Sequence, residues 1–172
     1  NIISSSQNIC YGESPASLTG LTPSGGGGGY AYQWLKSTTD SVSGYNIITG
    51  ATSSIFSPIA LTVTTWYRRI VTTATCIDTS SAIEITVIPL INSNTINLSQ
   101  FICSGNLPAM LTGSSPSGGG SGYIYQWLES STNASNSYTL ISGATAINYA
   151  PQALTISTWY RRLVKTNTCS DT

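Results

Sequence analysis

Tyr32-Gln33-Trp34-Leu35 returns as Tyr125-Gln126-Trp127-Leu128, and Thr65-Trp66-Tyr67-Arg68-Arg69 returns as Thr158-Trp159-Tyr160-Arg161-Arg162, both at an offset of 93 residues. Without a gap, the same offset carries Cys10, Pro15, Gly20, Pro23, Gly50, Pro58, Cys76 and Asp78 onto Cys103, Pro108, Gly113, Pro116, Gly143, Pro151, Cys169 and Asp171. It makes 45 of 79 aligned positions identical. A unit of this length can close its own core, so the period marks a duplicated domain rather than a solenoid turn. The expected domains are residues 1–90 and 91–172.

The repeated stretches are rich in β-branched and aromatic residues. Tyr30 to Leu35, Thr62 to Thr73 and Ile83 to Val87 read as strands separated by Gly, Pro, Ser and Asn clusters. With a first strand over Ile3 to Cys10 and short strands at Leu18, Ile48 and Leu61, each copy has about seven strands, the number of an immunoglobulin-like sandwich. The expected fold is all-β, a tandem of immunoglobulin-like β-sandwich modules. Copy one closes with the alternating strand Ser81 to Val87, whereas Thr172 is the partner of Thr79. Module two is therefore expected to be truncated before its last strand, with an open sheet edge there. The short, proline-containing stretch Ile88 to Ser93 predicts a stiff connection.

Composition narrows the function. Charged residues are 7% of the chain, six basic against six acidic, so neither a nucleic-acid-binding patch nor an acidic tail is expected. Twenty-eight serines and 24 threonines make the surface polar with little charge. Nowhere do 18 consecutive apolar residues suggest membrane insertion, and residues 1–20 lack the pattern of a signal peptide. The segment is expected to be an internal piece of a longer exported protein.

Each copy carries one cysteine pair at the same spacing of 66 positions, which predicts disulfides Cys10 to Cys76 and Cys103 to Cys169 and an oxidising, extracellular setting. No metal site is expected, since zinc prefers closer ligand spacing and the chain has no histidine. No catalytic residues are expected either. No imidazole exists to activate a thiol or hydroxyl, and Glu13, Asp40 and Glu84 have no acidic counterparts in copy two. The chain therefore reads as a non-enzyme without cofactors.

In Tyr30-x-Tyr32-x-Trp34 alternate side chains share a face, which predicts a packed aromatic core and, alternatively, an exposed tyrosine that stacks on a sugar. The glycine runs before Tyr30 and Tyr123 read as inter-strand loops, because neither continues into the Gly-Lys-Ser/Thr of a phosphate loop. Adjacent strand arginines must face opposite sides, so one of each Arg-Arg pair is expected at the core edge, stacked on an aromatic or paired with a carboxylate such as Asp78. The other is a candidate grip for an acidic polysaccharide. Candidate ligand contacts are Tyr30, Trp66 and Arg68, repeated as Tyr123, Trp159 and Arg161.

Six motifs recur in fixed order: Ile9-Cys10-Tyr11-Gly12, Leu18-Thr19-Gly20, Tyr32 to Leu35, Ile48-Thr49-Gly50-Ala51-Thr52, Thr65 to Arg69 and Cys76 to Thr79. Over both copies the chain resembles the tandem repeats of large Bacteroidetes surface adhesins of the SprB gliding-motility type. That resemblance implies a long cell-surface filament exported by a type IX system. It further implies contact with adjacent repeats and outer-membrane gliding machinery, and attachment to a polysaccharide or solid substratum.

Overall fold

The structure is a computed structural model of residues 1–172 and describes every residue except Leu98. It is all-β and resolves into two compact units, Asn1–Ile88 and Pro89–Thr172.

Unit 1 is built on one mixed sheet. Its strands are β1 (Gln7–Cys10), β2 (Ala31–Ser37), β3 (Asn46–Ile47), β4 (Thr65–Thr72), β5 (Ile77–Thr79) and β6 (Ile83–Ile88), in the order β1-β6-β4-β2-β3 with β5 also on β4. All pairings are antiparallel except β1 with β6, which run parallel with Gln7 opposite Ile85 and Cys10 opposite Ile88. The expected strand over Thr62 to Thr73 starts later, at Thr65, and Ile3 to Cys10 divides into a bridge at Ile3 and β1.

Alternation in β4 sets the layers. Thr65, Tyr67, Arg69 and Val71 are buried, while Trp66, Arg68 and Ile70 lie on the other face. Over the buried face run three segments bridged side by side, Ile3 to Gly20 and Leu18 to Phe56. Between these layers Ile3, Ile9, Leu18, Trp34, Leu61, Tyr67, Ile83 and Ile85 form the core. Phe56 stands 5.9 Å from both the Trp34 and Tyr67 rings. The Trp34 indole N–H donates to the Ser53 carbonyl at 2.9 Å, so the tryptophan is buried without an orphaned donor.

Unit 2 repeats the plan with β7 (Ile124–Ser130), β8 (Thr139–Leu140), β9 (Trp159–Lys165) and β10 (Ser170–Asp171), in the order β10-β9-β7-β8. Ile96 bridges Gly113, Leu111 bridges Tyr149, and Trp127 donates to the Ala146 carbonyl at 3.0 Å. Among the described residues no strand occupies the place that β6 holds in unit 1.

Burial pushes the phenols of Tyr67 and Tyr160 up to about 12, from an ordinary value near 10. A raised folded pKa means that the stabilisation is complete below about pH 10 and is lost as pH rises toward 12. For Tyr67, which is almost fully buried, the linked loss is on the order of 2–3 kcal/mol. Alkaline titration followed at the tyrosinate absorbance should show these two phenols ionising only with unfolding. Complete ionisation of all ten tyrosines near pH 10 in the folded chain would contradict it.

Candidate functional site

The two faces of β4 and β9 give the adjacent arginines different lives. Arg69 lies opposite Trp34 on the buried face and is wholly inaccessible. Its Nε and Nη2 donate to Asn1 Oδ1 at 3.0 and 2.9 Å, Nη1 to the Ser54 carbonyl at 3.0 Å, and Nη2 to the Leu21 carbonyl at 3.0 Å. The guanidinium lies over Tyr32 at 5.0 Å. Arg162 repeats this with Asn94 Oδ1 and the carbonyls of Ile147 and Ser114, over Tyr125. Asn1 and Asn94 close the loop by donating Nδ2 to the arginine's own carbonyl. Burial depresses both guanidinium pKa values, while Tyr32 and Tyr125 oppose that. The expected stacking is present, but the polar partners are an amide and backbone carbonyls in place of Asp78. Each acceptor carries no net charge, so the guanidinium keeps its charge by multiple hydrogen bonds and by the tyrosine ring beneath it. This is architecture, tying the second layer to the sheet.

On the outward face the arrangement is accessible. Leu35 lies opposite both Ile47 and Arg68, so those three side chains share a row, with Trp66 next along β4. Arg68 stacks on Tyr45 at 4.6 Å and donates Nη2 to the Ser41 carbonyl at 2.8 Å. The Tyr45 phenol is raised by burial under the arginine, with the guanidinium charge partly opposing. Arg161 stacks on Tyr138 at 4.1 Å, and Trp159 is 38% exposed. Ile47 and Leu140 are each 65% exposed. The result in each unit is an accessible aromatic, aliphatic and cationic surface.

Tyr30 and Tyr123 are not part of it. β2 begins beside the end of β4, so Tyr30 stands at the opposite end of the sheet from Trp66. Its hydroxyl donates to the Gly25 carbonyl at 2.6 Å, and Tyr123 does the same to Gly118. Gly25 through Gly29 all have positive φ, a backbone path closed to most side chains, and the tyrosine fastens that loop. Tyr45 and Tyr138 were missing from the sequence-derived set. Their conservation at the 93-residue offset was the available signal.

The cysteines correct the expected pairing. Cys76 and Cys103 carry free, exposed thiols, whereas Cys10 and Cys169 are disulfide-bonded, so neither the Cys10 to Cys76 nor the Cys103 to Cys169 bond is formed. Geometry within one unit explains this. Cys10 pairs with Ile88, beyond the start of β4, because Ile85 already faces Thr65. Cys76 lies in the turn after β4 has ended. An eight-residue strand separates them by roughly 25 Å, against the ~7 Å limit between Cα atoms of a disulfide. In unit 2, Cys103 sits beside the segment leading into β9, and Cys169 follows its end. A maleimide probe on the native, non-reduced chain should label Cys76 and Cys103, and Cys10 and Cys169 only after reduction. Label on Cys10 before reduction would overturn the assignment.

A family model described as a domain of unknown function (DUF8696) matches residues 1–89 and again residues 92–172. The chain belongs to the DUF8696 family. No curated protein matches it. The paired DUF8696 domains share the buried Asn-Arg-Tyr node, the tyrosine-fastened glycine loop and the outward Tyr-Arg-Trp surface, each at the same offset. Among the described residues no group of three or more His, Cys, Asp or Glu side chains is placed to hold a metal ion.

Proposed function

We propose that this pair of DUF8696 domains is a structural and adhesive repeat segment of a long bacterial cell-surface adhesin that mediates attachment during gliding motility. In this reading each domain is an immunoglobulin-like spacer whose outward surface makes a weak polysaccharide contact. The observation that carries the adhesive part is the recurrence of the Tyr45-Arg68-Trp66 surface as Tyr138-Arg161-Trp159, with both arginines stacked on their tyrosines. The sandwich reading rests on a parallel β1 beside β6 and a bridged second layer over the buried face. Repetition turns weak contacts into useful avidity, because each bound module raises the effective concentration of the next. The lack of histidine and the scarcity of acids support a non-enzymatic role, and the disulfide-bonded Cys10 and Cys169 fit an extracellular setting.

Two measurements test this. The double variant Trp66→Ala/Trp159→Ala should lose retention on immobilised bacterial polysaccharide while its stability changes by about 1 kcal/mol or less, since neither ring is in the core. Unchanged retention would remove the adhesive surface. A fluorescent antibody fragment against the chain should travel along the surface of live cells of the source organism. Bright, stationary label would instead favour a passive spacer and remove the motility reading.

A further inference from the structure

The outward surfaces of the two units share a tyrosine, an arginine and a tryptophan but differ in charge and in what holds the arginine. In unit 1 Arg68 is engaged. Its Nη2 donates to the Ser41 carbonyl at 2.8 Å, and its Nε is shut off from solvent without a partner. Asp40 stands next to Ser41 in the same loop, its carboxylate held in the charged form by the N–H groups of Ser43 and Val42 and by the Ser43 hydroxyl. The Asp40 charge reaches the Tyr45 ring on which Arg68 stacks. Glu84 faces Trp66 across β6 and β4, so this face carries two acids beside its one arginine.

At the 93-residue offset Asp40 becomes Asn133, Ser41 becomes Ala134 and Gly44 becomes Ser137. Ser137 takes the Ala134 carbonyl, donating its N–H at 3.0 Å and its hydroxyl at 2.7 Å, so that carbonyl does not receive the arginine. Asn133 accepts from the Tyr138 hydroxyl and brings no charge. Among the described residues nothing accepts a hydrogen bond from the Arg161 guanidinium, which rests on the Tyr138 ring at 4.1 Å. One face of the guanidinium is covered by the ring while its N–H edge stays open. Lys165, four residues along β9 on the same face, adds a second cation where unit 1 has Thr72. The acids of unit 2 are on the other face, Glu129 opposite Tyr160 and Asp171 opposite Val164.

We propose that the unit 2 surface takes a carboxylated polysaccharide of the uronate class, with Arg161 receiving the carboxylate and Lys165 supporting it, whereas the unit 1 surface takes an uncharged polysaccharide; this assignment rests on the adhesive reading. A carboxylate matches the planar fork of a guanidinium through two parallel hydrogen bonds, and the open edge of Arg161 offers that fork. The sugar ring lies toward Trp159, two residues away on the same face of β9 and roughly 7 Å along the strand. In unit 1 an incoming carboxylate meets the charges of Asp40 and Glu84 and finds part of the Arg68 edge in use. The duplicated domains thus keep one aromatic platform and divide the ligand's charge between them.

The test compares an oligogalacturonate with its methyl ester, which keeps the rings and removes the charge, by NMR titration of the full chain followed at the indole N–H signals. Trp66→Ala leaves unit 2 to report, and Trp159→Ala leaves unit 1. With Trp66→Ala the acid should bind about threefold more tightly than the ester or better, weaken as salt is raised, and lose its advantage on Asn133→Asp or on Arg161→Gln. With Trp159→Ala the ester should bind more tightly, and Asp40→Asn should strengthen acid binding about threefold. Exchanging Asp and Asn keeps the side-chain oxygen that accepts each loop's hydrogen bonds, so the loops are retained. Binding of both ligands with no preference for charge in unit 2, or an acid preference in unit 1, would overturn the assignment and leave the adhesive reading standing. Absence of binding of either ligand to either unit would overturn both.

Discussion

Replacing Arg69 with methionine is expected to remove about 3–5 kcal/mol of stability from unit 1, and Arg162→Met the same from unit 2. Methionine fills much of the space but donates nothing. Asn1 Oδ1 and the carbonyls of Ser54 and Leu21 would then lose their guanidinium donors in partly buried bonds. An unsatisfied buried acceptor costs about 1–3 kcal/mol, and these three are only partly buried and share one site, so each falls toward the low end and the total is less than additive. Lysine should recover part of the loss, because its ammonium keeps the charge but cannot span acceptors on both edges of a planar fork. Arg68→Met provides the comparison. It loses one exposed hydrogen bond and one stacking contact, worth about 1 kcal/mol or less. Urea unfolding of the full chain reads both, since a loss of this size shifts a domain's midpoint by roughly 2 M. Equal, small effects of Arg69→Met and Arg68→Met would show that the buried node is not a tie between layers.

Gly20→Ala is expected to destabilise unit 1 by about 2–4 kcal/mol, and the cost should shrink sharply once Arg69 is methionine. Gly20 has no left-handed backbone to protect, so the requirement is space alone. The nearest atoms to an added Cβ all belong to the Arg69 guanidinium, including Nη2 at 2.6 Å. A long side chain would ordinarily swing away, but this one is pinned by four hydrogen bonds. A thermodynamic cycle of Gly20→Ala and Arg69→Met should therefore give a coupling energy of about 1 kcal/mol or more. Strict additivity would mean that the alanine is harmful for a reason unrelated to the guanidinium. Gly113→Ala makes a second case with a different outcome. Its Cβ would meet both Arg162 and the Ile147 backbone carbonyl, the latter at 2.5 Å, so removing the arginine should give only partial relief.

Much of the fold was legible because it rests on local chemistry. Aromatic and β-branched runs between glycine and proline clusters announced β2, β4 and β6, since strand-forming side chains and turn-forming backbones leave opposite signatures. The duplication announced itself as identity at one offset, and two adjacent arginines in a strand had to face opposite ways. The candidate surface was half legible. Trp66 and Arg68 do share the outward face, as their spacing requires, but Tyr30 went to another place because β2 and β4 run antiparallel and its end of β2 meets the far end of β4. Tyr45, in the chain between β2 and β3, meets Arg68 only through folding, so no local pattern linked the two.

The sequence by itself determined the repeat, the all-β class and the tryptophan-centred core, because period, propensity and alternation act over a few residues or compare one stretch with its copy. Tertiary structure alone decided which arginine is buried, since that depends on the register that sets Arg69 opposite Trp34. It also decided the cysteines. Equal spacing in both copies suggested a bond within each, yet a parallel β1 beside β6 sends Cys10 to one end of the sheet and leaves Cys76 at the other. Spacing along a chain measures contour length, and a disulfide answers only to distance in space.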